Sequence, residues 1–196
     1  MAEHPNQLVL SSASPRRAEL LERMGLRFQI HPTHVVEDDS GLNGPIKMVE
    51  NNARLKASTL SIDMLDDLVL GSDTTVAIDD LVLSKPKDME EAHQMLTHLS
   101  GRVHTVFTAV ALYWNSGGLI HVFTDRTDVR FKTLERATIE NYTKLVNPLD
   151  KAGAYGIQKN HEMIIDRIEG SIENVMGLPI QRLESVLRKL GFSFYA

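Results

Sequence analysis

The chain has 196 residues, of which 42% are hydrophobic and 24% charged, and this composition excludes a disordered or low-complexity protein. This length suits one sizeable core, so we expect a single domain over residues 1–196. A net charge of -5 argues against a nucleic-acid partner, and the absence of cysteine excludes disulfides and thiolate metal sites. Met1–Gln7 lacks a signal pattern and no stretch approaches the roughly 20 apolar residues of a membrane span, so we expect a cytoplasmic protein without a membrane partner.

The first signal in the chain is a short apolar strand, Leu8–Leu10, that runs through three serines into a helix. Ser14 is a suitable N-cap, and Pro15 fits the first helical position because proline has no N–H to leave unpaired. Free backbone donors, hydroxyls and the guanidiniums of Arg16 and Arg17 would converge there on a phosphate. Ser-Pro is also a common helix opener and Arg-Arg is usually solvated. The position at the end of a buried strand favours the anion site.

A second strand follows the first helix and leads into an acidic loop. Gly25 predicts the end of the helix, and Arg27–His31 alternates like a strand, which gives a β-α-β beginning. Residues 34–44 form a polar loop with three adjacent carboxylates, Glu37, Asp38 and Asp39. From the residues alone, a solvated surface loop is favoured over a loop that contributes to a site.

The stretch Pro45–Leu60 has apolar residues at helical spacing and predicts an amphipathic helix. Lys56 lies at the rim of its apolar stripe. A lysine there usually lays its stem on apolar surface and sends its ammonium to water, although the same position would let it reach into a cleft. The first alternative is favoured by the residues alone.

Asp73 interrupts an otherwise apolar region between the predicted strands Leu68–Gly71 and Val76–Ile78. A carboxylate beside a core is unfavourable unless it is paired, hydrogen-bonded or bound to a metal. It could simply bond a local turn, but a functional role is favoured. Asp79-Asp80 then predicts a hairpin, which would bring Lys85 back toward the level of Asp73.

The second half predicts alternating structural elements with one segment of small residues. Gly153 and its neighbours in residues 147–158 suit close backbone approach to another element or a ligand, although a bare loop would explain them equally. The other predicted elements are a helix from an Asp88 cap to Gly101, strands over 103–114 and 119–131, a Thr133-capped helix to Lys144, a strand over 163–168, a loop over 169–179 and a last helix ending at Gly191.

Several of these motifs, in this order, resemble the Maf family of nucleoside triphosphate pyrophosphatases. The resemblance implies an α/β fold with an elongated, mixed, twisted β-sheet flanked by helices and two lobes around a central cleft. It also implies a homodimer and the hydrolysis of a nucleoside triphosphate to the monophosphate and pyrophosphate with a divalent cation, Mg²⁺ or Mn²⁺. The motifs are Ser12–Leu21, Gly71–Thr74, Ser84–Pro86, Leu99–Gly101, Asp150–Gln158 and Gly177–Pro179.

The resemblance also implies roles for individual residues. Asp73 would orient or deprotonate the attacking water and hold the metal ion with Glu37, although Asp38 or Asp39 could replace Glu37. The complete implied site has Asp73, Lys85, Glu37 and Lys56 as catalytic residues and Ser12, Arg16, Arg17 and Gln158 as substrate-binding residues.

The Asp150–Gln158 motif resembles the family branch that acts on dTTP and UTP more than the branch that acts on 7-methyl-GTP. Lys159 and Ile172 depart from the family pattern, which leaves base preference open between the two branches. A nucleotide-binding regulator of cell division without catalysis is a competing interpretation. The intact acidic and basic positions count against it.

Overall fold

The computed structural model describes residues 4–195. Residues 1–3 and residue 196, which belong to the predicted domain and partly to the Met1–Gln7 segment, lie outside the described residues. The strands are β1 (Leu8–Ser11), β2 (Phe28–Ile30), β3 (Leu68–Ile78), β4 (Leu81–Leu83), β5 (Val103–Trp114), β6 (Leu119–Phe131) and β7 (Ile165–Glu169). The α-helices are α1 (Pro15–Arg23), α2 (Pro45–Ser61), α3 (Met89–Leu99), α4 (Arg136–Leu145), α5 (Ile172–Met176) and α6 (Ile180–Lys189), with single 3₁₀ turns at Ala152–Ala154 and His161–Met163.

The described strands form one mixed sheet in the order β2-β1-β3-β5-β6-β7, with β4 paired to the distal end of β3. β1 is parallel to both β2 and β3, which confirms the predicted β-α-β beginning. The pairs from β3 through β5 and β6 to β7 are antiparallel. The predicted mixed α/β sheet flanked by helices is therefore confirmed.

Helix α2 covers one face of the sheet, and the other helices contribute to the larger core on the opposite face. Gly71 on β3 lets α2 pack directly on the strand. A Cβ at Gly71 would lie 2.3 Å from the carbonyl oxygen of Ala53 and 2.7 Å from the backbone nitrogen of Ala57, so a larger residue would push the helix away. This close approach brings the middle of α2 next to the middle of β3.

Several local predictions are confirmed. The β5–β6 hairpin has the predicted bounds, because Asn115–Gly118 supplies the turn between two long strands. The Asp88 carboxylate caps α3 by accepting a hydrogen bond from the Glu91 N–H at 2.8 Å. No helix among residues 4–195 combines the length and the apolar character that crossing a membrane requires.

Of two further predicted caps, Ser14 does occupy the N-cap position of α1 but lacks the side-chain bond, and Thr133 is not the cap of α4. The hydroxyl of Ser14 makes no capping bond to α1; its backbone carbonyl accepts the Arg17 N–H at 3.2 Å instead. Helix α4 begins at Arg136 with Glu135 at the N-cap, so Thr133 lies too far upstream to cap it. In both places the backbone path, which a sequence pattern does not specify, decides where the hydroxyl lies.

The predicted loop over 169–179 contains the short helix α5. Ser171 caps this helix by accepting the Asn174 N–H at 3.1 Å, and Gly177 ends it with a left-handed backbone (φ +112°). Strand β7 also begins at Ile165, two residues later than predicted, because a 3₁₀ turn precedes it. Helix α5 places the carbonyl of Gly177 against the cleft described below.

Candidate active site

The candidate site is a gap in the sheet along one side of β3. On that side β1 pairs with residues 68–71 and β4 pairs with residues 76–78. On its other side β3 pairs with β5 without interruption from Val69 to Ala77. Residues 72–75 therefore belong to one continuous strand, which corrects the predicted interruption at Asp73. Two of them, Asp73 and Thr74, line a cavity of about 350 Å³, because no strand among residues 4–195 fills the gap beside them.

All eight residues that the sequence placed in a site line this cavity. They come from distant parts of the chain. The parallel pairing of β1 with β3 brings the residues that follow β1 next to those that follow Gly71. Their individual roles are still predictions. The residues are Ser12, Arg16, Arg17, Glu37, Lys56, Asp73, Lys85 and Gln158.

One wall of the cavity, the α2 wall, is a cluster of charged side chains between α2 and β3. The Nζ atom of Lys56 donates to Asp73 Oδ1 at 2.9 Å and to Glu37 Oε2 at 2.6 Å, and the Lys56 side chain is only 10% exposed. It also reaches the carbonyl of Ser72 at 3.3 Å. The favoured prediction that Lys56 extends into water is therefore wrong, because two carboxylates and a carbonyl take the place of water around its ammonium.

This cluster keeps Asp73 ionised. Burial by itself raises the pKa of Asp73, but the charges of Lys56 and Arg17 and the hydrogen bonds from Lys56 and Asn52 lower it, and the net pKa lies below its usual value. At neutral pH the side chain is thus a carboxylate. It can accept a hydrogen bond from water or contribute to a cation site.

Asn52 is a member of this wall that the sequence interpretation missed. Its amide nitrogen donates to Asp73 Oδ2 at 3.0 Å and to the carbonyl of Asp38 at 2.9 Å, while its amide oxygen accepts the Asp38 N–H at 2.9 Å. It fixes the acidic loop to α2 and orients Asp73 at the same time. The available signal was its spacing, since it lies one helical turn before Lys56 on the otherwise apolar stripe.

The acidic loop supplies Glu37, not its two neighbours. The Asp38 carboxylate bonds to the N–H and hydroxyl of Ser40 at 2.9 and 2.6 Å, and Asp38 and Asp39 are not among the cavity-lining residues. Glu37 reaches Lys56 because Asn52 anchors the next residue. The favoured prediction of a purely solvated loop is wrong for Glu37, and the alternatives Asp38 and Asp39 do not reach the site.

The opposite wall, the α1 wall, is built around a buried arginine of α1. Arg17 donates from Nε to the Gly177 carbonyl at 2.9 Å, from Nη1 to Ser12 Oγ at 3.1 Å and from Nη2 to Thr74 Oγ1 at 3.2 Å. Burial lowers its pKa more than the nearby Asp73 raises it, but a guanidinium stays charged in proteins. Within residues 4–195 no carboxylate lies within 4.0 Å of it. This leaves a buried positive charge that suits an anionic ligand.

The remaining charged residues lie at the mouth of the cavity. Arg16 Nη1 pairs with Asp150 Oδ2 at 3.1 Å, and Asp150 also contacts Lys151 at 2.6 Å. Lys85 follows β4 directly, and the pairing of Leu83 with Val76 brings it back beside β3, as the predicted hairpin requires. Gln158 is exposed at the rim.

The donor set fits a divalent cation that arrives with a phosphate ligand. Among residues 4–195 no group of three acidic or histidine side chains could hold a metal by itself. Glu37 and Asp73 nevertheless converge on the same ammonium and offer hard carboxylate oxygens. Mg²⁺ at phosphate sites is typically bound by one or two carboxylates together with phosphate oxygens. These two residues fit that pattern.

The fold and the sequence both have clear relatives. Two solved Ham1 proteins, from Staphylococcus aureus and Coxiella burnetii, superpose with TM-scores of 0.55 and 0.54 over 93% of this chain and 98% of theirs, at 13% and 16% identity, and so share its fold. Proteins named dTTP/UTP pyrophosphatase from Moorella thermoacetica and Pelotomaculum thermopropionicum are 44% and 41% identical over 95% of this chain and 96% and 98% of their own lengths. The one from Dictyoglomus thermophilum is 36% identical over 95% and 97%.

The family predicted from the motifs is confirmed by these relatives and by a direct match. Residues 7–190 match the family model described as Maf-like protein, and this range includes both walls of the cavity. The chain belongs to the Maf-like protein family.

Proposed function

We propose that this protein hydrolyses nucleoside triphosphates to the monophosphate and pyrophosphate, with dTTP and UTP as the preferred substrates. The observation that carries the proposal is a single cavity with the buried guanidinium of Arg17 on its α1 wall and the ionised carboxylate of Asp73 on its α2 wall. No carboxylate of residues 4–195 lies within 4.0 Å of that guanidinium. Relatives that are 36–44% identical over nearly the whole chain are named for this activity.

The α1 wall would hold the triphosphate. A substrate with about four negative charges needs several cations, and planar guanidiniums bind phosphate oxygens in pairs. Arg17 is already oriented by Ser12, Thr74 and Gly177, so little side-chain entropy would be lost when phosphate binds. Arg16 would exchange its contact with Asp150 for a phosphate, and Lys85 would add a point charge.

The α2 wall would carry out the chemistry. Asp73 would accept a proton or hydrogen bond from the attacking water, and Asn52 and Lys56 would hold its two oxygens in place. When bound by Glu37 and Asp73, Mg²⁺ or Mn²⁺ would supply charge stabilisation for the phosphates. Lys56 would keep the two carboxylates from repelling each other when the cation is absent.

Base preference would come from the segment that ends at Gln158. Gly156, Ile157 and Gln158 line the cavity, and a small-residue segment lets backbone groups approach a base edge. Lys159 and Ile172, the two departures from the family pattern, are not among the lining residues. That supports a pyrimidine preference like that of the named relatives.

A substrate panel tests this proposal. The purified protein is assayed with dTTP, UTP, 7-methyl-GTP, ATP and GTP in Mg²⁺ or Mn²⁺, and pyrophosphate and orthophosphate are measured separately. We expect pyrophosphate from dTTP and UTP at least tenfold faster than from purines, and no turnover in excess chelator. Orthophosphate as the first product would contradict the reaction, whereas equal rates for purines would contradict only the base preference.

We propose that the enzyme works as a homodimer, which the family resemblance implies, and in the cytoplasm. We also propose that it has no nucleic-acid partner, because a net charge of -5 disfavours one. Light scattering of the purified protein should give twice the 22.0 kDa chain mass. An oligonucleotide titration at low salt should give no binding.

A further inference from the structure

A buried tyrosine behind the cavity holds the segment that leads to Gln158. Tyr142 on α4 is fully buried in the larger core and does not line the cavity. Its hydroxyl accepts the Gly156 N–H at 3.0 Å and lies 3.1 Å from the Gly156 carbonyl, to which it donates. Both backbone polar groups of Gly156 are thus satisfied by one side-chain hydroxyl.

The chemistry of this hydroxyl suits a fixed anchor. Burial raises the pKa of Tyr142 to about 12, so the proton that bonds the carbonyl is retained at neutral pH. The preceding residue is anchored as well, because the hydroxyl of Tyr155 contacts His104 Nε2 at 2.7 Å and its ring packs edge-on against Phe131. Two successive residues are therefore tied to the core.

The residues that follow this anchor belong to the wall of the cavity. Ile157 and Gln158 line the cavity, and no hydrogen-bond partner for their backbone N–H groups is found within residues 4–195. The N–H of Gly156, by contrast, is occupied by Tyr142. The anchor thus occupies the Gly156 N–H and, through the Gly156 carbonyl, holds the peptide group that carries the Ile157 N–H.

We propose that Tyr142 is a positioning residue for base selection, acting through Gly156 on the peptide groups of Ile157 and Gln158. This inference rests on the proposed function, in which that segment contacts the base. It concerns substrate recognition and not bond cleavage, because Asp73 and the rest of the α2 wall lie on other elements and have their own anchor, Asn52. Loss of the hydroxyl should alter binding and base preference while the chemical step continues.

The test compares Tyr142→Phe with Thr143→Val. The first variant keeps the ring and removes the hydroxyl. The second removes a buried hydroxyl from the neighbouring position of α4, where it contacts His93 and the Ile139 carbonyl and not Gly156. For Tyr142→Phe we expect KM for dTTP to rise about tenfold and the rate ratio of dTTP to dATP to fall about tenfold, with kcat for dTTP within about twofold. Thr143→Val should change neither KM nor the ratio.

Amide hydrogen exchange provides a second readout that needs no activity. In the wild type the Gly156 N–H should exchange at least tenfold more slowly than those of Ile157 and Gln158, and Tyr142→Phe should remove that difference. Fast Gly156 exchange in the wild type would overturn the anchor.

The outcomes separate this inference from the proposed function. A wild-type protein that hydrolyses no nucleoside triphosphate would overturn the proposed function. A wild type with a pyrimidine preference that Tyr142→Phe leaves intact, or that both variants reduce equally, would overturn the positioning role alone.

Discussion

The two walls of the cavity satisfy their charges in opposite ways. On the α2 wall, Lys56 lies between Glu37 and Asp73, so its charges are paired internally. On the α1 wall, Arg17 is held by a carbonyl and two hydroxyls, none of which neutralises it. A wall whose charges are already paired without a ligand is preorganised. A wall with a buried, unpaired charge is stabilised most when an anion binds. We infer that the α1 wall binds phosphate and the α2 wall performs the chemistry.

The largest expected effect is on the chemical step. Asp73→Asn removes the carboxylate but keeps a side chain of the same size, and Lys56 retains its contact with Glu37. We expect kcat for dTTP to fall by about 10²–10⁴-fold, the range typical of a lost general base. As a control, Asp38→Asn alters an acid of the adjoining loop whose side chain bonds Ser40, and it should keep kcat within about twofold. Near-normal turnover in Asp73→Asn would contradict a chemical role for the α2 wall.

A smaller effect is expected on substrate binding. Arg17→Ala should raise KM for dTTP by roughly tenfold to a hundredfold, because a charge-assisted contact of about 1.5–3 kcal/mol is lost. Arg17→Lys should restore only part of this, since an ammonium cannot reproduce the three-way contact of the guanidinium. The matched control is Arg23→Ala on the same helix, which breaks a surface pair with Glu173. An equal KM in the Arg17 and Arg23 variants would refute the phosphate role of the α1 wall.

The smallest effect concerns the core behind the base-facing segment. Burial lowers the pKa of His104 to about 4, although Asp128 acts in the opposite direction, so the folded protein keeps this ring neutral. Below pH 6.5 the unfolded chain binds the proton first, and stability falls until the pH reaches the folded value. Between pH 6.5 and pH 5 this residue should lower the free energy of unfolding by roughly 1–2 kcal/mol. Denaturant titrations of the wild type and His104→Gln at both pH values measure it, and identical pH dependence would contradict the buried neutral ring.

Much of the fold could be predicted because it depends on local patterns. The β5–β6 hairpin has a clear turn at Asn115–Gly118, and the Asp88 cap depends on residues three apart. Helix α5 was missed because a five-residue helix between glycines resembles a loop. Ser14 occupies the predicted N-cap position without the side-chain bond, and Thr133 does not cap α4, because side-chain capping depends on the path of the backbone.

The residues that line the cavity were easier to predict than their geometry. Motifs identified Lys56 and Asp73, but spacing alone did not show that α2 packs on β3 closely enough to bury them together. That packing depends on the contact of Gly71 with Ala53, which is remote in sequence. Asn52 and Tyr142 were missed for the same reason, since each acts on a partner that only the folded chain brings near.

The most direct test of the division between the walls is nucleotide affinity measured without turnover. Isothermal titration with the non-hydrolysable analogue α,β-imido-dUTP in excess chelator, which excludes any contribution of Asp73 through a bound cation, would compare the wild type, Asp73→Asn and Arg17→Ala. We predict that Asp73→Asn binds within about threefold of the wild type or more tightly, and that Arg17→Ala binds roughly tenfold to a hundredfold more weakly. The reverse order, with affinity lost in Asp73→Asn and kept in Arg17→Ala, would contradict the account.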